Sequence, residues 1–144
     1  MRRVLVAGLA SPALFAITVQ TQGGTTGDGR PARFFASCEA DVTGDGRADL
    51  VQLIETVRGV ELIALVSTAT GGYAAHVLRQ WKGDAGILRC QYGPQVTETT
   101  AGRGDPQPKV LKTPGAYVHL IFPETSSVAY VWTADRFVEL WTSD

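Results

Sequence analysis

Apolar and polar residues follow one another in short segments along most of the chain after residue 33. The segments are rich in Val, Ile, Leu and aromatic residues, as is typical of β-strands. Glycine, aspartate and proline separate them, and no window keeps the 3.6-residue period and the end caps of a helix. The pattern predicts eight strands, at 34–40, 50–56, 61–68, 73–81, 87–92, 117–122, 128–133 and 136–141.

These strands follow one another through short turns, which predicts an all-β fold built as an antiparallel meander of seven or eight strands. A sheet must bury at least one apolar face, so we expect a small sandwich or an open barrel. Residues 93–108 are rich in Gly, Pro, Thr and Gln and are expected to form the longest surface loop. The β domain is expected to span residues 33–144.

The amino terminus has a different character. Two arginines precede the uncharged apolar run 4–19, the order of a secretory signal. The run is too short to span a bilayer comfortably and Pro12 interrupts it, so we expect no stable membrane span in the mature form. Residues 1–22 are interpreted as a signal-peptide-like segment and 23–32 as a flexible linker. A buried first strand or an uncleaved anchor is the alternative.

Composition sets further limits. The 144 residues suffice for one domain, and the contents of 44% hydrophobic and 19% charged residues fit a folded protein. The net charge is −1 without a broad basic patch, so we expect no nucleic-acid partner. Cys38 and Cys90 can form one disulfide in an oxidising compartment. If the chain is not exported, two buried free thiols are the better interpretation.

Residues 41–49 place oxygen-bearing side chains at every second position, as a loop does when it surrounds Ca²⁺. The first, third, fifth and ninth positions offer side-chain oxygens, and the seventh offers its carbonyl. Gly46 occupies the sixth position, where the backbone bends sharply. The alternative is a turn rich in Asp and Gly that binds no metal. The predicted ligands are Asp41, Thr43, Asp45, Arg47 and Asp49.

The residues after this loop decide which calcium loop it resembles. An EF-hand carries a bidentate Glu at position 12 and continues as a helix, whereas this chain has Gln52 there and a predicted strand. Asp41-x-Thr43-x-Asp45-Gly46-x-x-Asp49-Leu50-Val51 instead resembles the calcium loop of FG-GAP repeats, also called VCBS repeats, and departs from that pattern at Thr43. Residues 126–144 resemble the end of small exported bacterial proteins that carry one such loop. The resemblance implies calcium binding and an extracytoplasmic location, periplasmic or secreted, without a defined activity.

No nucleophile elbow, zinc-protease motif or phosphate loop occurs in the sequence, and no catalytic residue is predicted. We therefore expect an exported calcium-binding β domain with a binding or structural role rather than an enzyme. Its partner would be a protein or a carbohydrate. Two alternatives stay open, an envelope inhibitor or immunity-type protein that binds a protein partner, and a hydrolase whose site forms only in the fold.

Overall fold

A computed structural model describes residues 33–99, 107–124 and 126–143. The signal-like segment 1–22 and the linker 23–32 lie outside the described residues. The described chain is built of ten strands and forms no helix long and apolar enough to cross a membrane. The strands are β1 (Arg33–Ala40), β2 (Asp49–Thr56), β3 (Gly59–Ser67), β4 (Tyr73–Trp81), β5 (Ile87–Tyr92), β6 (Gln95–Thr97), β7 (Val110–Lys112), β8 (Ala116–Phe122), β9 (Ser126–Thr133) and β10 (Arg136–Ser143).

Eight of these strands form two four-stranded antiparallel sheets. The first sheet has the order β1-β2-β3-β4 and the second the order β10-β9-β8-β5. The remaining strands, β6 and β7, pair only with each other. The expected all-β antiparallel fold is confirmed, and its form is a two-sheet sandwich. The stretch 93–108 differs from the predicted uninterrupted loop, because β6 lies within it and pairs with β7.

The main core lies between the two sheets. Strand side chains point alternately to opposite faces, so every second residue of the central strands faces this interior. Val51 and Leu53 on β2 and Val118 and Leu120 on β8 are completely buried there. Full burial of each such side chain contributes about 1.5–3 kcal/mol, which makes this layer the main source of stability.

A second, smaller core covers the outer face of the second sheet. Val96 of β6 packs there against Ala129, Val131 and Leu140. Strand β9 is therefore buried on both faces, which explains its continuous apolar run. The outer face of the first sheet has no corresponding hairpin among the described residues. The first sheet carries exposed apolar side chains at both of its edges, Phe34 on β1 and Tyr73 and Val77 on β4.

Each open edge of the sandwich carries a bridge between the sheets. Cys38 of β1 and Cys90 of β5 form a disulfide with their Cα atoms 5.8 Å apart, which confirms the predicted pairing. At the opposite edge, Arg79 Nη1 of β4 donates to Glu139 Oε2 of β10 over 3.2 Å. One edge is thus closed by a covalent bond and the other by an ion pair.

Candidate functional site

Asp49 is the most constrained side chain of the predicted metal loop. It is completely buried at the start of β2. Its Oδ2 accepts hydrogen bonds from the backbone N–H groups of Val42 (3.0 Å) and Thr43 (3.2 Å) and from the Thr43 hydroxyl (3.3 Å). Its Oδ1 accepts from the N–H group (2.8 Å) and the hydroxyl (3.0 Å) of Ser67. This carboxylate therefore joins the loop to the end of β3.

We call residues 41–49 the aspartate loop. Asp41 accepts hydrogen bonds from the middle of this loop. Its Oδ1 accepts from the N–H groups of Gly44 (2.7 Å) and Asp45 (3.1 Å), and its Oδ2 from that of Gly46 (2.8 Å). Gly44 and Gly46 have φ values of +75° and +83°, a region that favours glycine. The two glycines allow the N–H groups of three successive residues to point at one carboxylate.

The remaining predicted ligands divide into two groups. Thr43 Oγ1 lies 3.5 Å from Asp41 Oδ1 and 3.3 Å from Asp49 Oδ2, so these three oxygen-bearing side chains meet. Asp45 instead forms an ion pair with Arg47 and accepts its N–H group at 2.9 Å. Within the described part of the chain, no three His, Cys, Asp or Glu side chains form a group that could hold a metal ion.

The donor chemistry of the loop suits calcium only in part. Ca²⁺ takes carboxylate, hydroxyl and carbonyl oxygens, which Asp41, Thr43 and Asp45 offer at the solvent border. An ionised carboxylate has about four acceptor positions. Asp49 already accepts from five donors and Asp41 from four, so direct ligation by either carboxylate would require at least one donor to leave. The ligand roles predicted for the loop stay predictions.

The aspartate loop also contacts the second sheet. The carbonyl oxygen of Asp41 accepts the N–H group of Ala116 at 2.8 Å, at the first residue of β8. A Cβ added at Gly44 would lie 2.7 Å from Cβ of Pro114, so the two backbones approach closely. Neither these contacts nor the role of Ser67 was predicted. The only hint in the sequence was Pro114-Gly115, a small turn that permits a close approach.

A cavity of about 250 Å³ opens where β4 faces β10. Its polar wall is formed around Glu139. Glu139 Oε2 accepts the Tyr130 hydroxyl at 2.9 Å and also accepts Arg79 Nη1. Burial raises the pKa of Tyr130, so the hydroxyl stays protonated and acts as a donor. His76 meets the Phe137 ring edge-to-face with the centroids 5.9 Å apart. We call this space the edge cavity.

A third polar group lies on the outer face of the second sheet. His119 Nε2 and Thr142 Oγ1 are 3.1 Å apart, and Ser127 Oγ lies 2.8 Å from the same hydroxyl and 2.7 Å from Ser143 Oγ. Burial, and secondarily the charge of Arg89, lowers the pKa of His119. Thr142 stands between the imidazole and Ser127, so the group links β8, β9 and β10 as a chain of hydrogen bonds.

Comparison with known proteins identifies no relative of this chain. The chain matches no protein-family model, no curated protein and no solved structure. The resemblance of residues 41–51 to an FG-GAP loop therefore stays a prediction.

Proposed function

We propose that the chain is an exported, calcium-binding β domain with a binding or structural role, in which the aspartate loop is the structural metal site. The observation that carries this proposal is that Thr43 Oγ1 lies within 3.5 Å of carboxylate oxygens of both Asp41 and Asp49, in a loop that contacts both sheets. The Cys38–Cys90 disulfide is compatible with an oxidising compartment outside the cytoplasm.

Calcium would be held by Asp41, Thr43, Asp45 and the carbonyl of Arg47, with Asp49 as the fifth candidate. The ion would supply positive charge to three carboxylates that lie within nine residues. Thr43 offers a neutral hydroxyl where a carboxylate or an amide would bind more strongly, so the site should be weak. Dissociation constants of about 10⁻⁴–10⁻³ M are usual for extracellular calcium modules.

A calcium titration tests the proposal. A site of that affinity at 10 mM Ca²⁺ stabilises the folded state by about 1.4–2.7 kcal/mol, which raises Tm by at least about 5 °C. The rise should disappear in excess EDTA and in the variant Asp45→Ala, which removes the side-chain ligand. The matched control is Asp84→Ala, which changes an exposed carboxylate in the turn between β4 and β5. No rise in the parent protein, or an equal rise in Asp45→Ala, would reject the loop as the site.

A protein-binding role of inhibitor or immunity type is the second candidate. It is supported by the apolar outer face of the first sheet, where Tyr73 and Val77, four residues apart along β4, are 59% and 58% exposed. Exposed apolar surface of this kind occurs at protein interfaces. A pull-down should recover one dominant partner with the parent protein and lose it with Val77→Asp. Equal recovery with both would count against this face.

A further inference from the structure

The edge cavity contains polar groups that neither the aspartate loop nor the core requires. Both sheets contribute to its walls, which makes it the place where a ligand could contact the interior of the sandwich. Its volume of about 250 Å³ equals about eight water molecules at ~30 Å³ each, so it has room for about eight non-hydrogen atoms. Six of the lining residues are His76, Leu78, Tyr130, Arg136, Phe137 and Glu139.

The apolar wall of the edge cavity is held in a fixed arrangement. The Phe137 ring meets Trp132 edge-to-face with the centroids 4.9 Å apart, and His76 meets Trp132 in the same way at 5.4 Å. Edge-to-face pairs fix the ring positions as well as burying area. Leu78 continues this wall and packs against the main core. A compact apolar group would find a preformed surface here.

The charges around the edge cavity favour an anion. Glu139 Oε2 already receives the Tyr130 hydroxyl and the Arg79 guanidinium, so its charge is compensated within the protein. Arg136 has no ion-pair partner in the described part of the chain and lines the same space. With Arg79, Glu139 and Arg136 counted together, the cavity carries one uncompensated positive charge. A guanidinium binds a carboxylate through two parallel hydrogen bonds.

We infer that the edge cavity binds a monocarboxylate with one branched apolar group of about five carbon atoms, which with the carboxylate makes about eight non-hydrogen atoms. Arg136 receives the carboxylate, and the apolar group lies against Phe137 and Leu78. The inference rests on the binding role proposed above and names its ligand, but it does not depend on calcium. The same chemistry is found in a free organic acid and in the last residue of a peptide with a free carboxyl terminus.

Binding of 4-methylpentanoate, followed by backbone amide NMR shifts in EDTA, tests this inference. We expect a dissociation constant of about 1 mM or tighter, as fits a ligand of about eight atoms. The largest shifts should occur at residues 76–78 and 136–139. The neutral 4-methylpentanamide should bind at least 10-fold more weakly. Equal affinity of acid and amide, or shifts confined to other strands, would overturn the inference.

Two variants and a comparison with a short peptide complete the experiment. Arg136→Gln should weaken 4-methylpentanoate binding at least 10-fold, while Arg89→Gln, an exposed arginine of β5, should change it less than 2-fold. Unchanged binding in Arg136→Gln would overturn the inference. Gly-Gly-Leu with a free carboxyl terminus is compared with its amide. Tighter binding of this peptide than of the free acid identifies a peptide terminus as the ligand, and the reverse order identifies a free acid. Because EDTA is present throughout, failure here leaves the calcium proposal intact.

Discussion

Replacing Asp49 by alanine removes the acceptor of five hydrogen bonds at one buried point. Three of the five donors are backbone N–H groups, those of Val42, Thr43 and Ser67, and they have no means of turning elsewhere. Each buried donor left without a partner costs about 1–3 kcal/mol. We therefore expect Asp49→Ala to lower the free energy of unfolding by at least about 3 kcal/mol. A domain of about 110 residues is stable by only about 5–15 kcal/mol, so this loss is large.

Equilibrium unfolding in urea, followed by tryptophan fluorescence with the disulfide intact, measures this change. EDTA in every sample removes any contribution of bound calcium. Asp49→Asn keeps the shape but turns an NH₂ group towards N–H donors, so it should cost about as much as alanine. The control is Asp45→Ala, which loses an exposed ion pair and an exposed backbone hydrogen bond with Arg47 and should cost no more than about 1 kcal/mol. A loss below 1 kcal/mol for Asp49→Ala, or one equal to the control, would refute the reasoning.

Three further outcomes are expected. Replacing Cys38 and Cys90 by serine should cost about 4 kcal/mol by the chain-entropy relation for a separation of 52 residues, and an unchanged urea midpoint would contradict it. The pKa of His119 is lowered in the folded state, so its contribution to stability is complete above the unfolded value of about 6.5 and is lost as the pH falls below it. In His119→Gln the unfolding free energy should therefore depend less steeply on pH below about 6.5 than in the parent protein, and equal slopes in the two proteins would contradict this expectation. Gly44→Ala should destabilise the protein by about 1–3 kcal/mol more than Gly46→Ala in thermal melts. Both glycines have positive φ, but a Cβ would meet other atoms within 4 Å only at Gly44, so equal losses of stability would exclude the close contact.

The two main sheets were predictable because their strands are long enough to carry a pattern. Residues 50–56, for example, alternate an interior face with Val51 and Leu53 against an outer face, and the structure follows this pattern in β2. Strands β6 and β7 have three residues each, so they show no period. Val96 stands between polar residues and Leu111 has only Val110 as an apolar neighbour, and the two residues pack together over the outer face of the second sheet.

The aspartate loop was predictable as a turn but not in its hydrogen bonding. Its glycines and aspartates indicate where the chain bends, and the same carboxylate oxygens can accept backbone N–H groups or ligate a cation. The sequence does not decide between these uses. Ser67, which completes the environment of Asp49, lies 18 residues away and is brought there by the pairing of β2 with β3. The disulfide needed only two cysteines and export, so it was accessible from the sequence.

The position of the disulfide also determines how the sandwich fluctuates. A covalent link between β1 and β5 prevents these two strands from separating, whereas β4 and β10 are held across their gap by Arg79 and Glu139. Local opening is therefore expected to cost less free energy at the β4–β10 edge than at the β1–β5 edge. Amide hydrogens of β4 and β10 should exchange with solvent before those beside the disulfide. The edge cavity lies at the β4–β10 edge, so a ligand that fills it would be expected to slow the exchange of these amide hydrogens.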